Sequence, residues 1–243
     1  MIFSNFTFKP EVAHMLAEKG QKIKLHFLPN INHFDTIFPI YKERILYNLD
    51  LLTAVNPELK NIGVNIYDPN QDMSFWEDLI CRYDIRALRW SITVPNMEVS
   101  KDFNFYDYFH SFQNIIDTMI NWCVKYGIRL DCDCNGIPPC CFDEEKIVKW
   151  IKVDPEILGP THCKEAVVDV SPELIARGCF GCNPTITKYL LDFDTHQEVL
   201  DFFEKNRQDR KQLIARKECL SCERYQINKN SCSCYAYRKK ENG

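Results

Sequence analysis

Cysteine is the residue type whose number and spacing most directly suggest chemistry in this sequence. There are 13 cysteines in 243 residues, and 11 of them lie between positions 132 and 234. The most regular spacings in this half are Cys179-x2-Cys182 and Cys219-x2-Cys222-x9-Cys232-x-Cys234. Two residues between paired cysteines let both thiolates reach one metal while the intervening amides point at the sulfurs. The pattern predicts a metal site, which zinc and an iron–sulfur cluster fit equally well.

Metal binding is favoured over disulfide bonding because of the compartment that the sequence suggests. The first residues, MIFSNFTFKPEV, contain no basic segment followed by an apolar one and no small-residue cleavage site, so we expect a cytoplasmic protein. In a reducing compartment, clustered thiols more often bind metal or do redox work than form structural disulfides. An odd number of cysteines also fits a fully paired disulfide framework poorly.

The remaining cysteines occupy less regular positions. Cys132 and Cys134 alternate with Asp131 and Asp133, so a strand here would present thiols on one face and carboxylates on the other. Whether these two thiols serve a site or fill the interior stays open. Cys140 and Cys141 follow Pro-Pro and are expected on an exposed loop, where they could reach a bound group. Cys81 and Cys123 lie alone in amphipathic segments and are expected to be buried.

Secondary-structure signals in the first 135 residues alternate regularly between strands and helices. Four predicted helices separate the strands; the second ends before Pro57, and Gly20 and Gly127 end the first and the fourth. This alternation predicts an α/β fold with parallel strands, because each helix returns the chain across the sheet. A doubly wound sheet and a (β/α) barrel share the pattern. The predicted strand segments are MIFSNFTF, KIKLHFLPNI, NIGVNIYDP, ALRWSITVP and IRLDCDC.

The regular alternation of strand and helix signals ends at about residue 142. We expect a short helix near 143–153, a strand entering a turn at Pro172, and helices near 185–191 and 196–216, followed by the terminal cysteines. The prediction is therefore two regions, residues 1–142 with the strand–helix alternation and residues 143–243 rich in cysteine.

Composition and charge exclude several classes of function. Hydrophobic residues make up 45% of the sequence and charged residues 26%, which supports a substantial core. The net charge of -4 argues against nucleic-acid binding through bulk positive charge. No apolar run is long enough to span a membrane.

Four segments together resemble a known family. They are GVNIYDPNQDMSFWEDLICRYDIRALRWSITVPN, DCDCNGIPPCCF, VVDVSPELIARGCFGC and ECLSCERYQINKNSCSCYAYR. They resemble radical SAM enzymes with a C-terminal SPASM or twitch-type region that carries an auxiliary iron–sulfur cluster. The last segment is similar to the family's Cys-x2-Cys followed by a Cys-x3-Cys, although here the final spacing is Cys232-x-Cys234 and the glycines are missing.

The resemblance implies a fold, cofactors and site residues. It implies a partial (β/α) barrel over 1–142, a small auxiliary-cluster region over 143–243, and an auxiliary 4Fe-4S cluster. Strand-tip residues that would face S-adenosylmethionine (SAM) are Asn30, Asn65, Arg89 and Ser91, and the alternative role of Arg89 is an ion pair. The expected metal ligands are Cys140, Cys163, Cys179, Cys182, Cys219, Cys222, Cys232 and Cys234.

The sequence departs from the family in one respect that decides activity. The family binds its initiating cluster through Cys-x3-Cys-x2-Cys after the first barrel strand, and none of the 13 cysteines has this spacing. MIFSNFTF looks like the family's third strand, so the chain resembles a member without its first two strand–helix units. The chain could be a gene fragment, a piece of a split protein or the product of an internal start. We therefore expect SAM binding only with the missing N-terminal part, which a partner chain that completes the barrel could supply, and no SAM cleavage by this chain alone.

Two classes of function follow from these observations. The first is a radical SAM family protein whose relatives modify peptides or other small substrates, with an auxiliary cluster for binding or electron transfer. The alternative is a non-enzymatic binding module stabilised by zinc or one cluster. A cysteine-nucleophile enzyme is disfavoured because no motif pairs a histidine with a particular cysteine. Neither remaining class involves nucleic acid or a membrane.

Overall fold

The computed structural model describes residues 2–23, 27–31, 39–56, 59–93, 104–133, 137–159, 168–178, 186–208, 213–215, 217–223 and 237–239. The chain divides into two compact units. The first comprises residues 1–94, 106–133 and 139–159, and the second comprises residues 95–105, 134–138 and 160–243.

The first unit contains five parallel strands that neighbour one another in the order of the chain. β1 pairs with β2, and β3 pairs with β4, which pairs with β5, all parallel. A bridge between Asn30 and Gly63 joins β2 to β3, supported by the Ile31 amide, which donates to the Gly63 carbonyl at 2.9 Å. The prediction of an α/β fold with parallel strands is confirmed; the described strands do not form a closed barrel. The strands are β1 (Ile2–Ser4), β2 (Phe27–Pro29), β3 (Asn61–Ile66), β4 (Ala87–Ile92) and β5 (Arg129–Cys132).

Helices connect these strands, with two differences from the sequence prediction. The first helix continues through Gly20, since one glycine costs only about 1 kcal/mol inside a helix. The long helix predicted from 106 to 126 is broken at Phe112, a fully buried residue whose amide donates to the Phe109 carbonyl at 3.1 Å. Gly127 ends the next helix with φ +66°, as predicted. The helices are α1 (Pro10–Ile23), α2 (Pro39–Val55), α3 (Ser74–Tyr83), α4 (Phe105–Ser111), α5 (Gln113–Tyr126) and α6 (Glu144–Val153).

Alternate residues of the central strands separate an apolar face from a polar one. Successive side chains of a strand point to opposite faces, so every second residue shares a face. The apolar set is fully or almost fully buried and forms the core together with buried helix residues such as Trp76 and Met119. Parallel strands covered on both faces usually carry continuous apolar runs, so the polar set on the other face indicates a different role for that face. The apolar set is Ile62, Val64, Ile66, Leu88, Trp90, Ile92 and Leu130.

The outer edge of β5 is occupied by a carboxylate. The amides of Arg129 and Asp133 donate to carbonyls on the β4 side, so the Leu130 amide between them points away from β4. That amide donates to Oδ2 of the buried Asp154 at 2.9 Å, and Oδ1 of Asp154 accepts from the Glu156 amide at 3.0 Å. A side chain therefore satisfies the backbone group that a further strand would otherwise pair.

α6 lies in the first unit, so the predicted placement of its residues in the cysteine-rich region is wrong. Its Trp150 is fully buried and donates its indole N–H to Asp117 of α5 at 2.7 Å. Lys146 places its ammonium 2.5 Å from the same carboxylate. This network attaches α6 to α5 through groups that the sequence pattern did not pair.

The Asp117 network predicts an acid-dependent loss of stability. Burial raises the pKa of Asp117, but the hydrogen bonds from Lys146 and Trp150 outweigh burial and lower it below its usual value. A carboxyl whose pKa is lowered on folding stabilises the protein above its unfolded pKa of about 3.9, and that stability disappears as the pH falls through the folded pKa. Urea denaturation should show that Asp117→Asn reduces the free energy of unfolding at pH 7 and that the difference shrinks below about pH 4. A difference independent of pH would contradict this account.

The second unit contains a small antiparallel sheet, β6 (Asp169–Val170), β7 (Ile175–Arg177) and β8 (Thr187–Tyr189), followed by α7 (His196–Gln208). Ala176, Val199 and Phe203 form its buried cluster. The helix predicted near 185–191 is wrong, because residues 187–189 pair with β7 as a strand and only a single 3₁₀ turn follows. The described remainder consists of β9 (Leu213–Ala215), β10 (Tyr237–Lys239) and α8 (Lys217–Leu220).

A helix that crosses a membrane must be long and apolar, and the described helices of both units are not. None of them combines the necessary length with sufficient apolar character.

Candidate functional site on the polar face of the parallel sheet

The four strand-tip residues predicted from the sequence meet on the polar face of the sheet. Asn65 and Ser91 are partners in the β3–β4 register, and Arg89 precedes Ser91 by two residues on the same face. Asn30 follows β2 and is joined to Gly63, which precedes Asn65 by two residues. Asn30, Asn65 and Ser91 lie at or near the carboxyl ends of their strands, where α/β proteins commonly bind ligands, whereas Arg89 lies near the middle of β4.

Hydrogen bonds organise this face into two halves of different character. Ser91 donates its hydroxyl to Oδ1 of Asn65 at 2.7 Å, so the half of the face formed by these two residues is neutral and polar. Arg89 places Nη2 2.5 Å from Oδ2 of Asp133, the residue after β5. The ion-pair role that the sequence left open for Arg89 is therefore present.

A second ion pair lies beside the first on β5. Arg129 forms two hydrogen bonds with Asp131, from Nε at 2.8 Å and from Nη2 at 2.9 Å. Its hydrogen bonds to Asp131 raise the pKa of Arg129, which keeps the guanidinium charged. Two guanidinium groups thus face two carboxylates, and the described charges on this half of the face cancel.

Gly63 is a site residue that is absent from the sequence prediction. A Cβ on this residue would lie 2.7 Å from Oδ1 of Asn30, so only glycine fits beside the Asn30 side chain. That Oδ1 atom is buried and has no hydrogen-bond partner among the described residues. A glycine inside a strand often marks a close approach of backbone to another group, and this signal would have identified it.

Cys132 lies on the opposite, apolar face of β5. A Cβ on Gly159 would lie 2.9 Å from its Sγ, so the thiol packs closely against that turn. The predicted separation of this thiol from the Asp131 and Asp133 carboxylates is confirmed. The half-buried Cys132 therefore does not lie on the polar face with the other candidate residues; Cys134 lies outside the described residues.

Other cysteines of the first unit differ in accessibility. Cys140 is exposed in a 3₁₀ turn at Pro139–Cys141, as expected, whereas Cys141 is buried, which corrects the expectation that both are exposed. The Cys141 carbonyl accepts a hydrogen bond from Nδ1 of His110 at 3.0 Å.

Cys81 is exposed on α3, so its predicted burial is wrong. Burial, followed by the charge of Asp154, raises the pKa of the half-buried Cys123 to about 12, which makes that thiol a poor nucleophile at neutral pH.

Cys219 and Cys222 are the predicted metal ligands that the structure describes in the second unit. Cys219 is buried, Cys222 is half-buried, and the Cys222 amide donates to the Cys219 carbonyl at 3.1 Å, so the two residues lie in one tight turn. No group of three or more metal-ligating side chains occurs within the described part of the chain. The other predicted ligands, Cys163, Cys179, Cys182, Cys232 and Cys234, lie outside the described residues.

The sequence and the fold were compared with known proteins. No family model, curated protein or solved structure matches this chain.

Proposed function

We propose that this chain is a radical SAM family protein that binds SAM on the polar face of its parallel sheet and an auxiliary 4Fe-4S cluster in its cysteine-rich region. The observation that carries the proposal is the convergence of Asn30, Asn65, Arg89 and Ser91 on that face. Its substrate is a peptide or another small molecule, as in the family that the sequence resembles. SAM cleavage requires an initiating cluster, and none of the 13 cysteines has the Cys-x3-Cys-x2-Cys spacing that would bind it; a partner chain that completes the barrel could supply it.

The order of the strands supports the barrel component of the proposal. A doubly wound sheet reverses its strand order at a switch point, whereas the five strands here neighbour one another in chain order. Right-handed connections between such strands place all the helices on one face of the sheet. A partial (β/α) barrel has this arrangement, with the polar face as its interior.

Two features of the polar face suit SAM in particular. The buried Oδ1 of Asn30 has no donor among the described residues, and Arg89 places a guanidinium on the same face. SAM carries a carboxylate for a guanidinium such as that of Arg89 and hydroxyl, amino and ammonium groups for neighbouring acceptors. One SAM molecule therefore carries both an acceptor for the charged half of the face and donors for the neutral half.

The turn at Cys219 and Cys222 supports metal binding in the second unit. Its donor set is two thiols separated by two residues, which suits a tetrahedral iron or zinc site. A bound auxiliary cluster would supply substrate binding or electron transfer. The chain's own contribution is to place both cysteines in one backbone turn, with Cys219 buried.

Metal analysis after anaerobic purification and reconstitution tests the cluster component. Iron and sulfide in equal amounts, with brown colour, are expected for the native chain. The double variant Cys219→Ser with Cys222→Ser should lose most of the iron. Cys81→Ser is the matched control, because it removes an exposed thiol from α3 and should leave the iron content unchanged.

Three outcomes of these measurements would contradict the proposal. Colourless protein with stoichiometric zinc would favour the non-enzymatic module stabilised by zinc. Iron content that is insensitive to the Cys219/Cys222 variant would remove this pair from the ligand set. Production of 5′-deoxyadenosine from SAM and a reductant by this chain alone would contradict the need for a partner chain.

A further inference from the structure

α6 exposes two neighbouring apolar side chains on the side that faces away from α5. Its other side is held by Asp117 of α5, which contacts both Lys146 and Trp150. Successive residues of a helix are about 100° apart around its axis, so Val148 and Ile151 point away from that contact. They are 46% and 40% exposed, at positions where a helix packed on one side only would carry polar residues.

Opposite charges lie at the two ends of this apolar pair. Glu144 lies four residues before Val148, in the first turn of α6, and Lys152 lies four residues after it, in the last turn. Both charged side chains are exposed. Residues four apart lie on the same side of a helix, so the acidic, apolar and basic groups form one stripe. We call this stripe the α6 outer face, and its members are Glu144, Val148, Ile151 and Lys152.

A stripe with this order of groups is complementary to a copy of itself turned end for end. If two α6 helices pack antiparallel about a twofold axis, Val148 and Ile151 cover the same two residues of the second copy. Glu144 then lies beside the partner's Lys152, and the symmetry produces this ion pair twice. The antiparallel arrangement also brings the positive end of each helix dipole beside the negative end of the other.

The residue types of α6 also favour a packed outer face. β-branched side chains lose rotamer freedom in a helix, so a helix that is solvated on this side would be more stable with straight-chain residues. Contact with a second apolar surface compensates for that loss by removing these side chains from water. Four of the ten residues of α6 are β-branched, namely Ile147, Val148, Ile151 and Val153.

We propose that two copies of this chain associate through their α6 outer faces, as antiparallel helices related by a twofold axis. α6 has ten residues and is therefore about 15 Å long. A stable interface buries about 800 Å² on each partner, which one side of so short a helix does not provide. The dimer is therefore weak and forms as the protein concentration rises. The contact uses no residue of the polar face, so it is independent of the proposed function.

Sedimentation equilibrium of the full chain over a wide range of concentrations tests this inference. A reductant in the buffer excludes intermolecular disulfides. The weight-average mass of the native chain should rise from 28.7 kDa toward twice that value. Val148→Lys places a charge at the centre of the contact and should weaken association about tenfold or more. Met15→Lys is the matched control, because Met15 is a similarly exposed apolar residue of α1, at 44%, and its replacement should leave association unchanged.

A charge reversal tests the antiparallel arrangement. Glu144→Lys and Lys152→Glu each place like charges together at both ends of the contact, so each should weaken association severalfold. The double variant restores two opposite pairs and should associate nearly as well as the native chain. Helix stability alone predicts the reverse, because the double variant has a positive charge in the first turn and a negative charge in the last. Thermal unfolding should therefore be lowest in temperature for the variant whose association is restored.

Three results would overturn this inference. A native chain that stays monomeric at every concentration would show that the α6 outer face does not bind a second copy. Dissociation of the dimer by Met15→Lys to the same extent as by Val148→Lys would assign the contact to a different surface. Association of the double charge variant as weak as that of the single variants would exclude the antiparallel pairing of Glu144 with Lys152.

Discussion

Replacement of Asn48 by aspartate is expected to destabilise the protein by roughly 3–5 kcal/mol, a large fraction of the stability of a typical domain. Asn48 of α2 is fully buried, and its Nδ2 donates to the carbonyls of Phe6 at 2.8 Å and Phe8 at 2.9 Å. These carbonyls lie between β1 and α1, where Phe6 has φ +60°. An aspartate at neutral pH has no donor, so a buried charge would face two acceptors.

Urea denaturation of Asn48→Asp and Asn48→Ala together tests this explanation. The alanine variant removes the side-chain donor from the Phe6 and Phe8 carbonyls and should cost about 2–3 kcal/mol. The penalty of the aspartate variant should decrease as the pH falls, because a protonated carboxyl regains one donor. A loss below about 1 kcal/mol in both variants would show that Asn48 does not hold the segment before α1.

Replacement of Asp154 by alanine is expected to cost about 2–3 kcal/mol and to expose the outer edge of the sheet. The two carboxylate oxygens accept from the amides of Leu130 and Glu156, and the side chain is buried. Alanine would leave the Leu130 amide, at the middle of β5, without a partner. An unpaired strand edge also promotes association between chains.

Hydrogen exchange and light scattering measure these two consequences separately. The Leu130 amide should exchange faster in Asp154→Ala than in the native protein, and the variant should aggregate at lower temperature. Asp154→Asn keeps one carboxamide oxygen and can accept from one of the two amides, so an intermediate loss of stability is expected. Unchanged exchange at Leu130 in the alanine variant would refute the assigned role.

The second half of the chain shows where sequence patterns alone were insufficient. The prediction of a helix near 185–191 relied on local spacing, but the Lys188 backbone pairs with Ala176 of β7 instead. Short segments carry too little periodicity for their own preference to outweigh pairing with a neighbouring strand. The buried position predicted for Cys81 failed for a related reason, because spacing along a helix does not specify which side packs on the sheet.

The sequence by itself determined the alternation of strands and helices, the parallel sheet that follows from it, and the polar residues at the strand ends. These features depend on local spacing, which a chain carries whatever its neighbours are. Only the tertiary structure decided that Asn30 lies over Gly63, that Arg89 pairs with Asp133, and that Asp154 occupies the edge of β5. Each of these contacts joins residues more than 20 positions apart, so the register between strands and the packing between elements decide it, and neither is encoded in the spacing of any single segment.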